Sequence, residues 1–218
     1  FFAKKVKNKW ESPINITPEI ESDGDLYVSC LSNDGKQLFI TRIIDDRSDI
    51  YLSKFDGTRW SVARKLNENI SSRYWDAHAY LFPDGKTLIF ASDRPGGYGG
   101  LDLYISKMDN DGNWGAPKNL GPEINTSFNE DRPSICKDEK TLFFCSQGHY
   151  NMGGFDIFKA ELLENGHWKE PVNIGYPINT PDDDTFFMPV NNGRNGYISA
   201  YRQGKGFGKE DIYYITFK

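Results

Sequence analysis

Trp114-Gly115-Ala116-Pro117-Lys118-Asn119-Leu120 is one of four matching segments, and its recurrence decides the fold. The others are Trp10-Glu11-Ser12-Pro13-Ile14-Asn15-Ile16, Trp60-Ser61-Val62-Ala63-Arg64-Lys65-Leu66 and Trp168-Lys169-Glu170-Pro171-Val172-Asn173-Ile174. Their tryptophans are spaced by 50, 54 and 54 residues. An Asp-apolar-aromatic step keeps the same beat at Asp49-Ile50-Tyr51, Asp102-Leu103-Tyr104, Asp156-Ile157-Phe158 and Asp211-Ile212-Tyr213. So do turn residues at Asn33-Asp34-Gly35-Lys36, Pro83-Asp84-Gly85-Lys86, Lys137-Asp138-Glu139-Lys140 and Asn191-Asn192-Gly193-Arg194. Three unrelated landmarks in one register mark an internal repeat.

Each unit reads as four short strands. In the second, a strand near Ala77–Phe82 turns at Asp84-Gly85 into a strand at Thr87–Ala91. Asp-Gly between apolar runs is a strong hairpin signal because the turn needs positive φ. The Gly-rich loop Pro95–Gly100 leads to a third strand at Asp102–Lys107, and a second hairpin, Asp109–Asn113, opens onto a fourth after Trp114. No helical periodicity of useful length interrupts this pattern. A four-stranded sheet of this size cannot bury both its faces, and radial repetition about an axis solves that problem. The expected fold is all-β, a propeller of four-stranded antiparallel blades. One domain is expected over 1–218, with a partial unit at 1–20 and units at about 21–70, 71–125, 126–179 and 180–218. Strand counting leaves one surplus, because Phe1–Val6 matches the third strand of a unit while the last unit lacks a fourth. Either Trp10–Ile16 supplies that outer strand and closes a four-bladed ring, or the chain is part of a ring of five or more blades.

Composition agrees. Aromatic residues make up 15% of 218 residues, with 21 Gly and 11 Pro, a mix that favours strands and turns. No apolar run is long enough to span a membrane as a helix. A net charge of −5 argues against binding nucleic acid through a basic surface; the cluster Lys4, Lys5, Lys7 and Lys9 alternates like the solvated face of a strand. Cys30, Cys136 and Cys145 have neither metal-ligand nor disulfide-framework spacing and read as buried thiols. The chain opens Phe1-Phe2-Ala3-Lys4, without a targeting signal; it reads as a processed or excised piece whose signal lies elsewhere.

Two strings then carry a resemblance. Phe82-Pro83-Asp84-Gly85-Lys86-Thr87-Leu88-Ile89-Phe90-Ala91-Ser92-Asp93-Arg94 and Gly99-Gly100-Leu101-Asp102-Leu103-Tyr104 resemble the WD40-like propeller repeat of TolB type, and Gly153–Phe158 repeats the second. The Trp-x-x-Pro-x-Asn-Leu/Ile segment, followed by Ile124-Asn125-Thr126 or Ile178-Asn179-Thr180, is similar to envelope proteins of Bacteroidota. The resemblance implies an exported protein of the periplasm or outer membrane. It further implies a propeller module beside an OmpA-like or helical-repeat domain, as in a type IX secretion component. The match is poorest where Arg42–Ser48 replaces the Gly-rich loop and where Asn192–Gly196 replaces Asp-Gly-Lys.

Candidate chemistry divides into residues that make the repeat and residues that break it. Acids stand near the start of each first strand: Asp25, Asp76, Glu130-Asp131 and Asp182-Asp183-Asp184. A glycosidase would use such carboxylates as acid and base, but a residue repeated in every unit reads as architectural, accepting hydrogen bonds between blades. Asp109–Asn113 resembles the start of a calcium loop, yet its twelfth position is Leu120 rather than Glu, so it reads as a hairpin. His78, His149 and His167 fall at non-equivalent positions, and neither a serine-hydrolase elbow nor a phosphate-binding loop is present. No cofactor or metal is expected, structural calcium being unsupported. The repeat-breaking set is Arg42, Arg47, Tyr74, Trp75, His78, Arg94, His149, Tyr150, Tyr201 and Arg202, of which Arg42, Arg47, His149, Tyr150, Tyr201 and Arg202 are expected in loops between second and third strands. Aromatic and arginine side chains are the material of protein-binding hot spots, and also suit sugars. Trp10, Trp60, Trp114 and Trp168, with Asp49, Asp102, Asp156 and Asp211, are expected to be structural. The leading expectation is a non-enzymatic module that binds a protein partner in the cell envelope. Carbohydrate binding or glycoside hydrolysis is the alternative, and the gating propeller of a serine peptidase a second one.

Overall fold

The computed structural model describes residues 1–7, 9–20, 25–200 and 211–217. Blade 1 is β3 (Asp25–Leu31), β4 (Gln37–Ile44), β5 (Arg47–Lys54) and β6 (Arg64–Lys65). Blade 2 is β7 (Asp76–Leu81), β8 (Thr87–Ser92), β9 (Asp102–Lys107) and β10 (Lys118–Asn119), and blade 3 is β11 (Glu130–Ile135), β12 (Thr141–Ser146), β13 (Asp156–Glu161) and β14 (Val172–Asn173). Each is an antiparallel sheet in chain order. Blade 4 has three described strands, β15 (Phe187–Val190), β16 (Asn195–Ala200) and β17 (Asp211–Thr216). The chain is thus an all-β, four-bladed propeller.

Before blade 1, β1 (Lys5–Val6) pairs with β2 (Lys9–Trp10), Lys5 opposite Trp10, and Phe2 bridges to Ile14. This half-unit has the register of a third and a fourth strand. Trp10–Ile16 therefore does not complete blade 4, because its pairing partner is the surplus strand of its own hairpin. A single helical turn, α1 (Thr17–Ile20), follows and buries Ile16 and Ile20 against Leu38 and Ile40 of blade 1.

The core lies between blades, not within them. Phe39 and Ile50 of blade 1 meet Leu81, Phe90 and Trp114 of blade 2. Leu103 and Ile89 meet Leu142, Phe144 and Trp168 of blade 3, and Phe143, Cys145 and Ile157 meet Phe187 and Ile198 of blade 4. A sheet covered on both faces needs apolar side chains at consecutive positions, which is why β8 (TLIFAS) and β12 (TLFFCS) are buried at all six. The innermost strands β3, β7, β11 and β15 converge on the axis around a cavity of only about 30 Å3, bounded by Val28, His78, Tyr80, Arg132, Ser134 and Met188 among others. Toward the turns between first and second strands, the same four strands border a second cavity of about 240 Å3, lined by Leu31, Tyr80, Ile135 and Met188 among others. Cys30, Cys136 and Cys145 are buried free thiols. Burial pushes Cys30 and Cys136 up to about 12 and Cys145 well above the ordinary thiol value.

Candidate functional site

The repeated acids belong to the framework. Asp76 accepts from the Ser72 amide (2.7 Å) and hydroxyl (2.6 Å) and from Ser92 Oγ (2.6 Å). Glu130 accepts from Thr126 N and Oγ1 (both 2.7 Å) and Ser146 Oγ (2.6 Å), and Asp184 from Thr180 N (2.6 Å) and Oγ1 (2.9 Å). In each case a Ser or Thr four residues upstream ties the connector to the start of the inner strand. Blade 1 departs from this, because Leu26 opposes Arg42 as Asp76 opposes Ser92, and Asp25 is exposed one place earlier. Asp25 is thus not the equivalent of Asp76, and Asp182 and Asp183, also exposed, are not equivalents either. These bonds join a connector and strands of one unit more than they join neighbouring blades.

A second acid closes the Gly-rich loops. Asp102 accepts from Tyr98 N (2.6 Å), Gly99 N (3.0 Å) and Asn119 Nδ2 (2.6 Å), and Asp156 from Met152 N and Asn173 Nδ2 (2.7 Å). A Cβ on Gly99 would collide with the Phe128 carbonyl, so the loop needs glycine to reach the connector. In blade 1, Asp49 pairs instead with Lys65 at 2.7 Å. Among the described residues no three His, Cys, Asp or Glu side chains gather to hold a metal ion.

Of the repeat-breaking residues, Arg94 and His149 occupy matching places. The Arg94 guanidinium lies over the Phe90 and Tyr104 rings and donates to Asn69 O (2.9 Å), Ile70 O (3.1 Å) and Asp76 Oδ1 (2.7 Å). His149 packs on Phe144 and Phe158 and donates from Nε2 to Ile124 O (2.8 Å), the carbonyl equivalent to that of Ile70. His78 sits at an inner-strand bulge (φ 47°), with Nδ1 2.8 Å from Asp131 Oδ1. Arg132 (φ 47°) takes the same bulge in blade 3. Trp75 N donates to Asp93, and Tyr74 is covered by the Arg73 guanidinium 5.1 Å from its ring centre.

Arg42 and Arg47 are not loop residues. With no glycine loop to accommodate, β4 and β5 run on to a two-residue turn, Asp45-Asp46, both at positive φ (49° and 57°). Arg42 therefore lies in β4, its guanidinium 4.6 Å from the Tyr51 ring centre, and Arg47 starts β5, exposed. Tyr201 and Arg202 lie outside the described residues.

One end of the propeller carries the loops between second and third strands together with the connectors between blades. On it Tyr98, Phe128, Tyr150 and Met152 are exposed, Tyr150 at 95%. Tyr98 and Phe128 are brought together because Gly100 N donates to Phe128 O (2.8 Å). Tyr150 was named from the sequence as a candidate; Tyr98, although inside the Gly-rich loop Pro95–Gly100, was not, and neither were Phe128 and Met152. Repeat alignment carries a signal for Phe128, which takes the connector place that Tyr74 takes one unit earlier. At the same end a groove of about 520 Å3 is lined by Arg132, Thr180, Asp182, Asp183, Phe186 and Ile212 among others.

No protein-family model matches the chain, and no curated protein sequence matches it. Solved structures do. TolB from Acinetobacter baumannii is similar with a TM-score of 0.58 and 18% identity, over 88% of this chain and 41% of that one. The chain has the fold of the TolB-type β-propellers. A putative TolB from Agrobacterium tumefaciens is similar at 0.52 and 15% identity, over 91% of this chain and 61% of that one. An α-L-arabinofuranosidase from Lactobacillus brevis is similar at 0.52 and 12% identity, over 99% of this chain and 71% of that one. This chain therefore spans less than two thirds of either TolB, and at these identities the likeness is one of fold. Among the described residues no helix is long and apolar enough to cross a membrane.

Proposed function

We propose that this is a non-enzymatic propeller module that binds a protein partner through its loop end, within the bacterial cell envelope. The observation that carries the reading is the set Tyr98, Phe128, Tyr150 and Met152, apolar and aromatic side chains held out on one end by short, hydrogen-bonded loops. Rigid aromatic anchors of this kind lose little entropy on binding and are what interfaces concentrate. A further feature supports it: Asp76, Glu130 and Asp184 are buried in hydrogen bonds to Ser and Thr, leaving no free carboxylate pair among them for glycoside chemistry. The envelope location rests on the TolB-type fold and on the resemblance of the Trp-x-x-Pro-x-Asn-Ile segments to Bacteroidota envelope proteins. Membership in a larger OmpA-like or type IX secretion assembly is part of the same proposal.

The test is affinity capture from a solubilised envelope fraction with the wild-type chain and with Phe128→Ser/Tyr150→Ser. Both side chains are exposed, so the variant keeps its circular dichroism spectrum. The reading expects a partner protein retained by the wild type and lost by the variant. Equal retention, or retention of glycan alone, overturns it.

A further inference from the structure

Four equivalent side chains border the cavity on the axis. Leu26, Asp76, Glu130 and Asp184 take matching places in the four blades, and two residues further on stand Val28, His78, Arg132 and Phe186. All four line the cavity of about 30 Å3. Val28 and Phe186 are apolar; His78 and Arg132 bring nitrogen. Both nitrogen-bearing residues sit at a bulge in left-handed backbone, φ 47° in each. That conformation costs strain in a residue other than glycine, and bulges are a means of re-aiming a side chain.

One carboxylate braces the pair. Asp131, itself buried, holds His78 Nδ1 (2.8 Å) and the Arg132 N–H (2.7 Å) on the same Oδ1. The matching places in blades 1 and 2 are Tyr27 and Ala77, so the brace belongs to blade 3 alone of these three. His78 N donates to Thr41 Oγ1 (2.9 Å), which ties the bulge to blade 1 as well. After this bracing, His78 Nε2 and the Arg132 guanidinium have no hydrogen-bond or ion-pair partner among the described residues. Arg42, Arg73 and Arg94, by contrast, each lie against an aromatic ring. Arg132 is half-buried, and a partly desolvated charge is costly unless something pairs with it.

No carboxylate lines this cavity; its other polar side chains are Ser29, Tyr80 and Ser134. Burial pushes the Tyr80 phenol up, so it stays a hydroxyl. Arg132 also borders the groove of about 520 Å3 at the loop end, where three acids stand. Asp184 is committed to Thr180 and Asp183 accepts from Phe155 N (2.9 Å), while Asp182 is exposed and makes no ion pair with Arg132.

The geometry points to a carboxylate-binding site at the mouth of the axis. The planar fork of Arg132 matches two carboxylate oxygens. His78 Nε2, a donor once the ring is protonated, and the hydroxyls of Ser29 and Tyr80 are the further donors. About 30 Å3 has room for about two waters, which is the room those two oxygens need. Val28 and Phe186 give the carbon behind the carboxylate an apolar neighbour, and the groove beyond Arg132 admits the rest of the ligand. The ligand is a small free carboxylate or an acidic side chain of a polypeptide. The site shares no residue with the exposed aromatic set, so either can fail alone.

The probes are acetate and a Gly-Asp-Gly peptide blocked at both ends. Each is titrated against the isotope-labelled chain at constant ionic strength while the 3 histidine rings are followed by NMR. His78→Asn, which tolerates positive φ, identifies the His78 signals. Saturable movement of those signals alone is expected. Affinity should fall about tenfold or more in Arg132→Gln, and by less in Arg132→Lys, which keeps the charge without the fork. An unchanged urea midpoint shows that Arg132→Gln is folded, and Phe128→Ser/Tyr150→Ser should bind as the wild type does. Tighter binding of the peptide than of acetate assigns the site to an acidic side chain, and equal or weaker binding to a free carboxylate. Shifts that do not saturate, or that persist undiminished in Arg132→Gln, overturn the proposal.

Discussion

Replacing Trp114 with Ala should be among the most damaging single changes, and the same change at Trp10 should be nearly silent. Trp114 is 4% exposed and packs in the core between blades 1 and 2, beside Ile70, Phe90 and Tyr104. Its carbonyl is held by Asn67 Nδ2 (2.9 Å) and Asn69 Nδ2 (2.7 Å), which fix the backbone under the preceding connector. A buried indole removes about 200 Å2 from water, worth about 5 kcal/mol at 25 cal/mol per Å2 as an upper bound. Core Trp-to-Ala changes cost about 3–5 kcal/mol. Trp10 is 62% exposed, because no described connector lies against it, and its loss should cost about 1 kcal/mol or less. Urea unfolding of Trp114→Ala and Trp10→Ala, with m-values compared, reads both. A cost below about 1 kcal/mol for Trp114, or equal costs for the two, would refute the claim that a tryptophan is buried by the connector of the blade before it.

Arg94→Ala should cost about 3–5 kcal/mol in the same assay, because it strands Asp76, wholly buried, without its 2.7 Å cation; a loss under about 1 kcal/mol would contradict that role. The three thiols should stay unreactive toward a disulfide reagent at pH 8 in the folded protein and all react in denaturant, since burial raises all three; prompt labelling of the native chain would contradict their burial. Partial burial opposes ionisation of Asp84 and Asp138, but hydrogen bonds from the hydroxyl and amide of Thr87 or Thr141 and the amide of Lys86 or Lys140 outweigh it. Both carboxyls are therefore held below their usual value. A depressed folded value gives stability present above about pH 4 and lost as pH falls through it. Wild type and Asp84→Asn should thus differ in urea midpoint at pH 7, and the difference should shrink as pH falls below about 4; a constant difference would refute this.

The blades were legible because their landmarks are local: an Asp-Gly turn, a Trp before an outer strand, an apolar run buried on both faces. What sequence could not place depended on neighbours. Trp10 carries the same motif as Trp114, yet burial comes from the connector of the preceding unit. Arg42 and Arg47 read as loop residues until the Asp45-Asp46 turn extended their strands. Asp25 looked equivalent to Asp76, but strand register moved it one place and out to solvent. Arg94 and His149 differ in residue type and in their distance from Ser92 and Ser146, so their shared task of capping the Ile70 and Ile124 carbonyls emerged only from the packed chain. Phe128 went unnoticed because exposure is decided by the loop it sits against.

The most direct test of the loop end as a protein-binding surface is site-specific photo-crosslinking in the native envelope. A photoreactive phenylalanine replaces Phe128 or Tyr150, and Lys86, in a turn at the opposite end of the blades, serves as comparison. A discrete protein adduct is expected from positions 128 and 150 and none from 86. Adducts from 86 alone, or none from the loop end, would contradict it.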